Sequence, residues 1–243
     1  MSRFKLICQY DGSSFHGWQL QKDKRTVQGE LEKAIAKLNK GKLIHVVGSG
    51  RTDAGVHAFG QVAHFDMDTE LGHNSLRKAI NGNLNEDCYV NSVELVDNEF
   101  HARFSAIKRE YIYSCRQNRN LLDRNRIWYT DKLNILKLND AAKILIGNHD
   151  FLSFSKKNPQ IKNTICNIYQ SKWNETNQIV NYHISGNRFL HHMVRYLVGS
   201  MVAISQGKYN IKQLKKELDY PTSDSKQFKA PAYGLILNHI SYE

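Results

Sequence analysis

Glycine occurs four times between residues 48 and 60, at 48, 50, 55 and 60, directly after the strand-like apolar run 43–47. Glycines at that density mark a loop whose backbone needs positive φ or admits the close approach of another molecule. One carboxylate, Asp53, is set in the loop, two residues after Arg51 and four before His57. A rigid loop holding a single acid at the end of a strand is a good place for chemistry. A tight turn with an Asx-type cap at Asp53 is the plainer alternative. Local sequence leaves both open.

Two nucleotide-binding readings of the loop fail. A dinucleotide fingerprint starting at Gly48-Ser49-Gly50 needs a third glycine at position 53, which is Asp53, and no Gly-Lys-Ser/Thr follows to make a phosphate loop. Asp66-Met67-Asp68-Thr69 resembles an aspartyl phosphotransferase motif but lacks the residue that normally separates its second Asp from the Thr. It reads as a polar strand end.

At 243 residues the chain has room for one large or two small domains. Its 34 Lys+Arg against 23 Asp+Glu give a net charge of +11, which suggests a polyanionic partner, nucleic acid before membrane. Cys8, Cys88, Cys115 and Cys166 are scattered without a CxxC pair, against a zinc knuckle or a disulfide framework and consistent with a reducing cytoplasm. The first residues turn polar by Gln9, so no signal peptide is expected. The best apolar run, 196–204, is far short of the roughly 20 residues that span a bilayer. The expectation is a soluble cytoplasmic protein.

Alternation and helical spacing predict an α+β fold. A strand at 4–10 is followed by the turn Asp11-Gly12-Ser13, and then by Phe15-His16-Gly17-Trp18-Gln19, whose aromatics fit either loop anchoring or base stacking. Thr26 is a suitable N-cap for a helix with Val27, Leu31, Ile35 and Leu38 on one face, ending at Gly41. Strands at 43–48 and 60–66, a helix at 75–84 and a strand at 89–96 complete a β-α-β-β-α-β order, the split βαβ plan. The second half repeats it without sequence repetition: a strand at 108–116, a helix at 139–146, a hairpin of 165–173 with 179–185, and a closing strand at 235–240. Between hairpin and closing strand, Asn187 is placed to cap a long helix running to Gln206, followed by a short helix at 211–218. The expected halves are 1–105 and 106–243.

In the strand at 108–116, Arg109, Tyr111 and Tyr113 share one face, opposite Ile112. In the long helix Arg188, His191/His192, Arg195 and Gly199 recur at helical spacing as a basic stripe, suited to phosphate, to a carboxylate or simply to solvent. Adjacent histidines lack metal-ligand spacing. Arg116, Arg119, Arg124, Arg126 and the loop 156–162 are candidate RNA contacts, and each also fits ordinary surface.

Gly50-Arg51-Thr52-Asp53-Ala54-Gly55-Val56-His57-Ala58 resembles the signature of the TruA family of tRNA pseudouridine synthases. The resemblance extends through Tyr10-Asp11-Gly12, Gly17-Trp18-Gln19, the block 100–106 followed by Arg109 and Tyr111, the block 189–195, and Ala232-Tyr233-Gly234-Leu235. It implies two ferredoxin-like halves with a joined sheet and a central cleft, the first half carrying the catalytic loop and the second completing an RNA-binding cleft. It also implies Asp53 as the catalytic residue, Tyr111 against the target base, and Arg195 paired with Asp53. Arg51 would hold a backbone phosphate or prop the place of a flipped-out nucleotide. The implied reaction isomerises uridine to pseudouridine at positions 38, 39 and 40 of the tRNA anticodon arm, with no cofactor or metal, in a homodimer where one tRNA touches both subunits. Two alternatives differ in what they predict: an RNA-binding protein on the same scaffold has no use for Asp53, and a same-family synthase acting elsewhere gives a different product map.

Overall fold

The computed structural model describes residues 1–158, 160–225 and 228–242. In chain order the first elements are β1 (Ser2–Tyr10), α1 (Val27–Leu38), β2 (Val47–Gly48), β3 (His57–Met67), α2 (His73–Asn81) and β4 (Cys88–Val96). There follow β5 (Ala106–Arg116), β6 (Trp128–Tyr129), α3 (Ile135–Lys143), β7 (Gly147–Asp150), β8 (Ile165–Thr176) and β9 (Ile179–Gly186). The last are α4 (Met193–Ser205), α5 (Ile211–Asp219) and β10 (Leu235–Tyr242). Contacts group the chain into two units, Met1–Ile107 with Ile236–Glu243, and Lys108–Leu235. No helix among the described residues is long and apolar enough to cross a membrane.

In the first unit β1 lies between β3 and β4, antiparallel to both. The outer edge of β3 is shared. β2 pairs with it antiparallel through Val47↔His64, and β10 pairs parallel through Ile236↔His57 and Leu237↔Ala58. The order β4-β1-β3-β2 is that of a split βαβ unit, in the expected β-α-β-β-α-β sequence. Thr26 caps α1 by accepting the Gly29 N–H on its hydroxyl (3.3 Å), and Val27, Leu31 and Ile35 are fully buried. α2 begins at His73, earlier than expected, and buries Leu76 and Ile80, while Leu84 falls past its end.

The strand expected at 43–48 shrinks to two residues. Ile44 and Val46 are buried, but the Val46 N–H donates to Glu32 Oε1 (3.0 Å) and so is not available for a ladder. β3 begins at His57 rather than 60, so Gly60 stands inside the strand and not at its start. A Cβ there would stand 2.7 Å from the Asn238 carbonyl oxygen, so β10's close approach is what this glycine permits.

The sheet of the second unit runs β5-β9-β8-β7, all antiparallel, with β6 parallel beside β5. Trp173 and Tyr182 stack at 4.9 Å in its core, and the Trp173 indole donates to Met201 Sδ of α4 (3.3 Å). α3 starts at Ile135 because Asn134 Oδ1 accepts the N–H groups of Leu136 and Lys137 (both 3.1 Å). The long helix also differs from expectation. Asn187 does not cap it: its N–H donates to Asn167 O (3.0 Å) and its Oδ1 accepts the Asn167 N–H (2.9 Å), which ties it to β8. His192 then takes a left-handed φ of 64°, which an α-helix cannot contain, and α4 begins at Met193. Arg188 and His191 therefore precede the helix and are not part of a stripe along it.

Candidate active site

Asp53 stands in the loop 49–56 between β2 and β3. Its first two residues are fastened to β3: the Ser49 N–H donates to Val62 O (2.8 Å) and the Gln61 amide to Gly50 O (2.9 Å). The Val56 N–H closes a turn onto Asp53 O (3.1 Å), with Gly55 at φ +79°. The N–H that an Asx turn at Asp53 would recruit, on Gly55, bonds instead to Phe15 O (3.3 Å).

The segment 10–18 holds the loop from its other side. The Trp18 N–H donates to Thr52 O (3.1 Å), and the Tyr10 and Thr52 hydroxyls lie 2.8 Å apart. The Gly12 N–H donates to Nδ1 of the buried His57 (3.0 Å). Three glycines make this packing possible. A Cβ on Gly12 would lie 2.1 Å from Val56 O, one on Gly17 2.6 Å from Thr52 O, and one on Gly48 2.4 Å from the Trp18 indole. Phe15 and Trp18 are 3% and 2% exposed, so these aromatics anchor the loop and are not open to stacking. Thus backbone bonds on both flanks fix the main chain of Asp53, and its side chain is half-buried. Arg51, on the same loop, is exposed.

The second unit carries Tyr111 and Arg195. Tyr111 of β5 lies opposite Ile184 of β9, half-buried, with its ring edge-to-face on Phe189 (5.2 Å, 86°). Tyr113 is the tyrosine that packs the core. It is fully buried, its hydroxyl donates to Pro231 O (2.9 Å), and a Cβ on Gly234 would come within 2.6 Å of its ring. Burial pushes the Tyr113 phenol well above its ordinary range. Arg109 donates to Asn187 O (2.6 Å), joining β5 to the segment that carries Phe189.

Arg195 is the third residue of α4. Its Nε donates to Ala230 O (2.9 Å), and the Ala230 N–H returns a bond to Arg195 O (3.0 Å). One turn later Gly199 lets the Phe228 carbonyl oxygen approach to 2.1 Å from where a Cβ would be. The crossing segment 228–230 therefore sets the orientation of the Arg195 guanidinium.

Asp53 and Arg51 thus share a loop in one unit, while Tyr111 and Arg195 belong to the other. Of the basic candidates, Arg116 is paired with Asp123 (2.5 Å), whereas Arg119, Arg124 and Arg126 are exposed. Lys156, Lys157 and Lys162 are exposed as well, and Pro159 in their loop lies outside the described residues. Sequence reasoning did not identify the supporting roles of Gly12, Gly17, Thr52 and Phe189. The nearest signal was glycine at 12 and 17 beside aromatic residues.

A sequence profile of the family described as tRNA pseudouridine synthase matches residues 6–105 and 141–243. Arg51, Asp53 and Arg195 fall within these segments, and Tyr111 falls between them. The tRNA pseudouridine synthase A of Ehrlichia chaffeensis (strain Arkansas) is 41% identical over 245 residues, covering 99% of this chain and 100% of that protein. Its namesake in Bacillus subtilis (strain 168) is 39% identical over 245 residues, 99% of both chains. That of Pseudothermotoga lettingae is 39% identical over 246 residues, 100% of both. Among solved structures, a chain of a Cbf5-Nop10-Gar1 complex covers 96% of this chain and 57% of its own at 10% identity and a TM-score of 0.36, too distant to add to the assignment. Profile and relatives together cover the loop, the glycines that shape it and both units, and the chain belongs to the tRNA pseudouridine synthase family.

Proposed function

We propose that the protein isomerises uridine to pseudouridine at positions 38, 39 and/or 40 of the tRNA anticodon stem-loop, with Asp53 as nucleophile or base. The observation that carries this reading is the signature loop itself: its main chain is immobilised from both sides around one half-buried carboxylate, in a chain similar over its full length to tRNA pseudouridine synthases A. The chemistry needs such a fixed group. The bond from C1′ to N1 breaks, the uracil turns over while held, and C1′ bonds to C5; C5 loses a proton and N1 gains one. Nothing is oxidised or added, so the reaction as written calls for no oxidant and no second substrate.

The target nucleotide must leave its stack to meet a carboxylate in a shaped site, so it is flipped out. Tyr111, held at its angle by Phe189, contacts the flipped base, and Arg51 takes a backbone phosphate or fills the vacated place. Arg195 pairs with Asp53 and favours its ionised form, as a guanidinium beside a carboxylate does. The +11 net charge suits a polyanionic substrate, and phosphate contacts by the exposed arginines and lysines provide salt-sensitive affinity. A cytoplasmic homodimer in which one tRNA touches both subunits belongs to the same proposal.

The deciding experiment maps pseudouridine on an unmodified tRNA carrying uridines at 38–40, treated with wild type or Asp53→Asn without added cofactor. Product at these positions with wild type alone supports site, chemistry and residue together. Binding by both proteins without product would instead support an RNA-binding module. Arg195→Leu is expected to lose turnover and to change the acidic limb of the pH–rate profile. Full activity with an unchanged profile would remove the pairing.

A further inference from the structure

The turn between β4 and β5 presents an aromatic ring outward from a backbone bonded at several points. The Ala102 N–H donates to His64 Nδ1 (3.1 Å), and Ala102 O accepts the Tyr242 hydroxyl (2.6 Å). His101 Nδ1 accepts the N–H groups of Arg103 (3.1 Å) and Phe104 (3.3 Å). The His101 N–H donates to Ser105 Oγ (3.0 Å), and the Ser105 N–H donates to His101 O (2.9 Å). Desolvation, with Arg3 nearby, holds His101 below the usual imidazole range, so its ring nitrogen stays an acceptor at neutral pH.

On this frame Phe104 is 76% exposed. The His101 ring lies against it at 4.3 Å and 32°, and the Arg103 guanidinium carbon is 5.7 Å from its centroid. A lone apolar side chain on a surface is ordinary. Here, however, the ring's position is set by the bonds of its own backbone and by a second ring beside it, and a cation stands next to it. An aromatic face and a guanidinium in that arrangement suit a ligand that is flat at one end and anionic at the other, as an unpaired nucleotide is.

We propose that Phe104 and Arg103 form a stacking platform for an unpaired base of the RNA substrate, with the base on the Phe104 ring and an adjoining phosphate on Arg103. This rests on the tRNA reading above. Base–aromatic stacking needs the π face and tolerates any base, so Phe104 adds affinity without choosing sequence. Arg103 adds a counterion-releasing contact.

The test measures binding of an unmodified tRNA transcript by fluorescence anisotropy across a salt series, for wild type and for Phe104→Leu, Phe104→Trp and Arg103→Gln, with melting temperature and sedimentation recorded for each. Phe104→Leu keeps an apolar side chain against His101 and removes the π face. It is expected to bind about 5- to 150-fold more weakly with an unchanged salt slope. Phe104→Trp is expected to bind as wild type or better, and Arg103→Gln to lower the salt slope by about one. Wild-type affinity in a folded Phe104→Leu protein overturns the platform. So does a change in sedimentation with RNA binding intact, which would make the ring a protein contact. If wild type binds no tRNA at any salt, the tRNA reading fails and the platform falls with it.

Discussion

Gly17→Ala tests the claim that the segment 10–18 positions Asp53. Gly17 has φ +89°, where an L side chain costs roughly 1–2 kcal/mol. The new methyl carbon would stand 2.6 Å from Thr52 O and 3.1 Å from both Ala54 N and the Asp53 carbonyl carbon. Carbon–oxygen contacts settle near 3.3 Å or beyond, so the loop must retreat by about 0.7 Å. Thr52 O is also the acceptor of the Trp18 N–H (3.1 Å), and its retreat weakens that bond, for about 1 kcal/mol more. The total, about 2–3 kcal/mol, lowers Tm by about 4–12 °C in a chain of this size. Catalytic geometry tolerates about 0.5 Å, and a 1 Å misplacement costs up to about 10²-fold, so turnover is expected to fall roughly 10- to 100-fold. Affinity for tRNA, set by phosphate contacts, stays near wild type. Single-turnover pseudouridine formation well below Tm, thermal melting and tRNA binding measure the three quantities. Gly50→Ala, with nothing within 4 Å of its Cβ position and no positive φ, is the melting control and should melt with wild type. Wild-type turnover in Gly17→Ala with a Tm change under about 1 °C would refute the reasoning.

The other expectations are shorter. Tyr113→Phe strands the Pro231 carbonyl and should cost about 1–2 kcal/mol in urea unfolding, whereas Tyr111→Phe should lower turnover and leave the urea midpoint alone; the reverse pattern would exchange their roles. Thr26→Ala removes the acceptor of the Gly29 N–H and should cost about 1 kcal/mol by the same assay. Burial, with the nearby His101 and Arg3, pushes His64 from 6.5 down to about 4, so its neutral form is favoured by the fold. Its contribution is complete above pH 6.5 and is lost as pH falls toward 4, on the order of 3 kcal/mol. His64→Asn, which does not titrate, should flatten that part of the stability–pH curve, and an unchanged curve would count against it.

Much of this was legible from local pattern. The N-cap at Thr26, the face Val27-Leu31-Ile35 and the β8–β9 hairpin depend on residues adjacent in sequence, and all formed as read. Errors arose where a distant partner decided. Asn187 looked like a helix cap, but Asn167 claims both its N–H and its side-chain oxygen. Gly60 reads as the first residue of a strand beside the loop, yet it stands inside β3, where it answers to Asn238 in β10. Residues 43–46 had strand composition, but a helix carboxylate, Glu32, takes a donor that a ladder would use. The candidate site divides in the same way. Asp53 stood out because its loop is dense in glycine, whereas Gly12 and Gly17 act only through carbonyls some forty residues away, which no local pattern encodes.

The parallel pairing of β10 with β3 also bears on synthesis. Ile236 meets His57, so when β3 leaves the ribosome its partner for that edge has not been translated. At about 5–20 residues per second the interval is roughly 10–35 s. Throughout it the first half of β3, adjoining the Asp53 loop, offers unpaired N–H and carbonyl groups to any extended segment nearby. The nascent chain must therefore protect the strand that leaves the Asp53 loop until β10 emerges, and conditions that slow translation over the second unit lengthen that exposure.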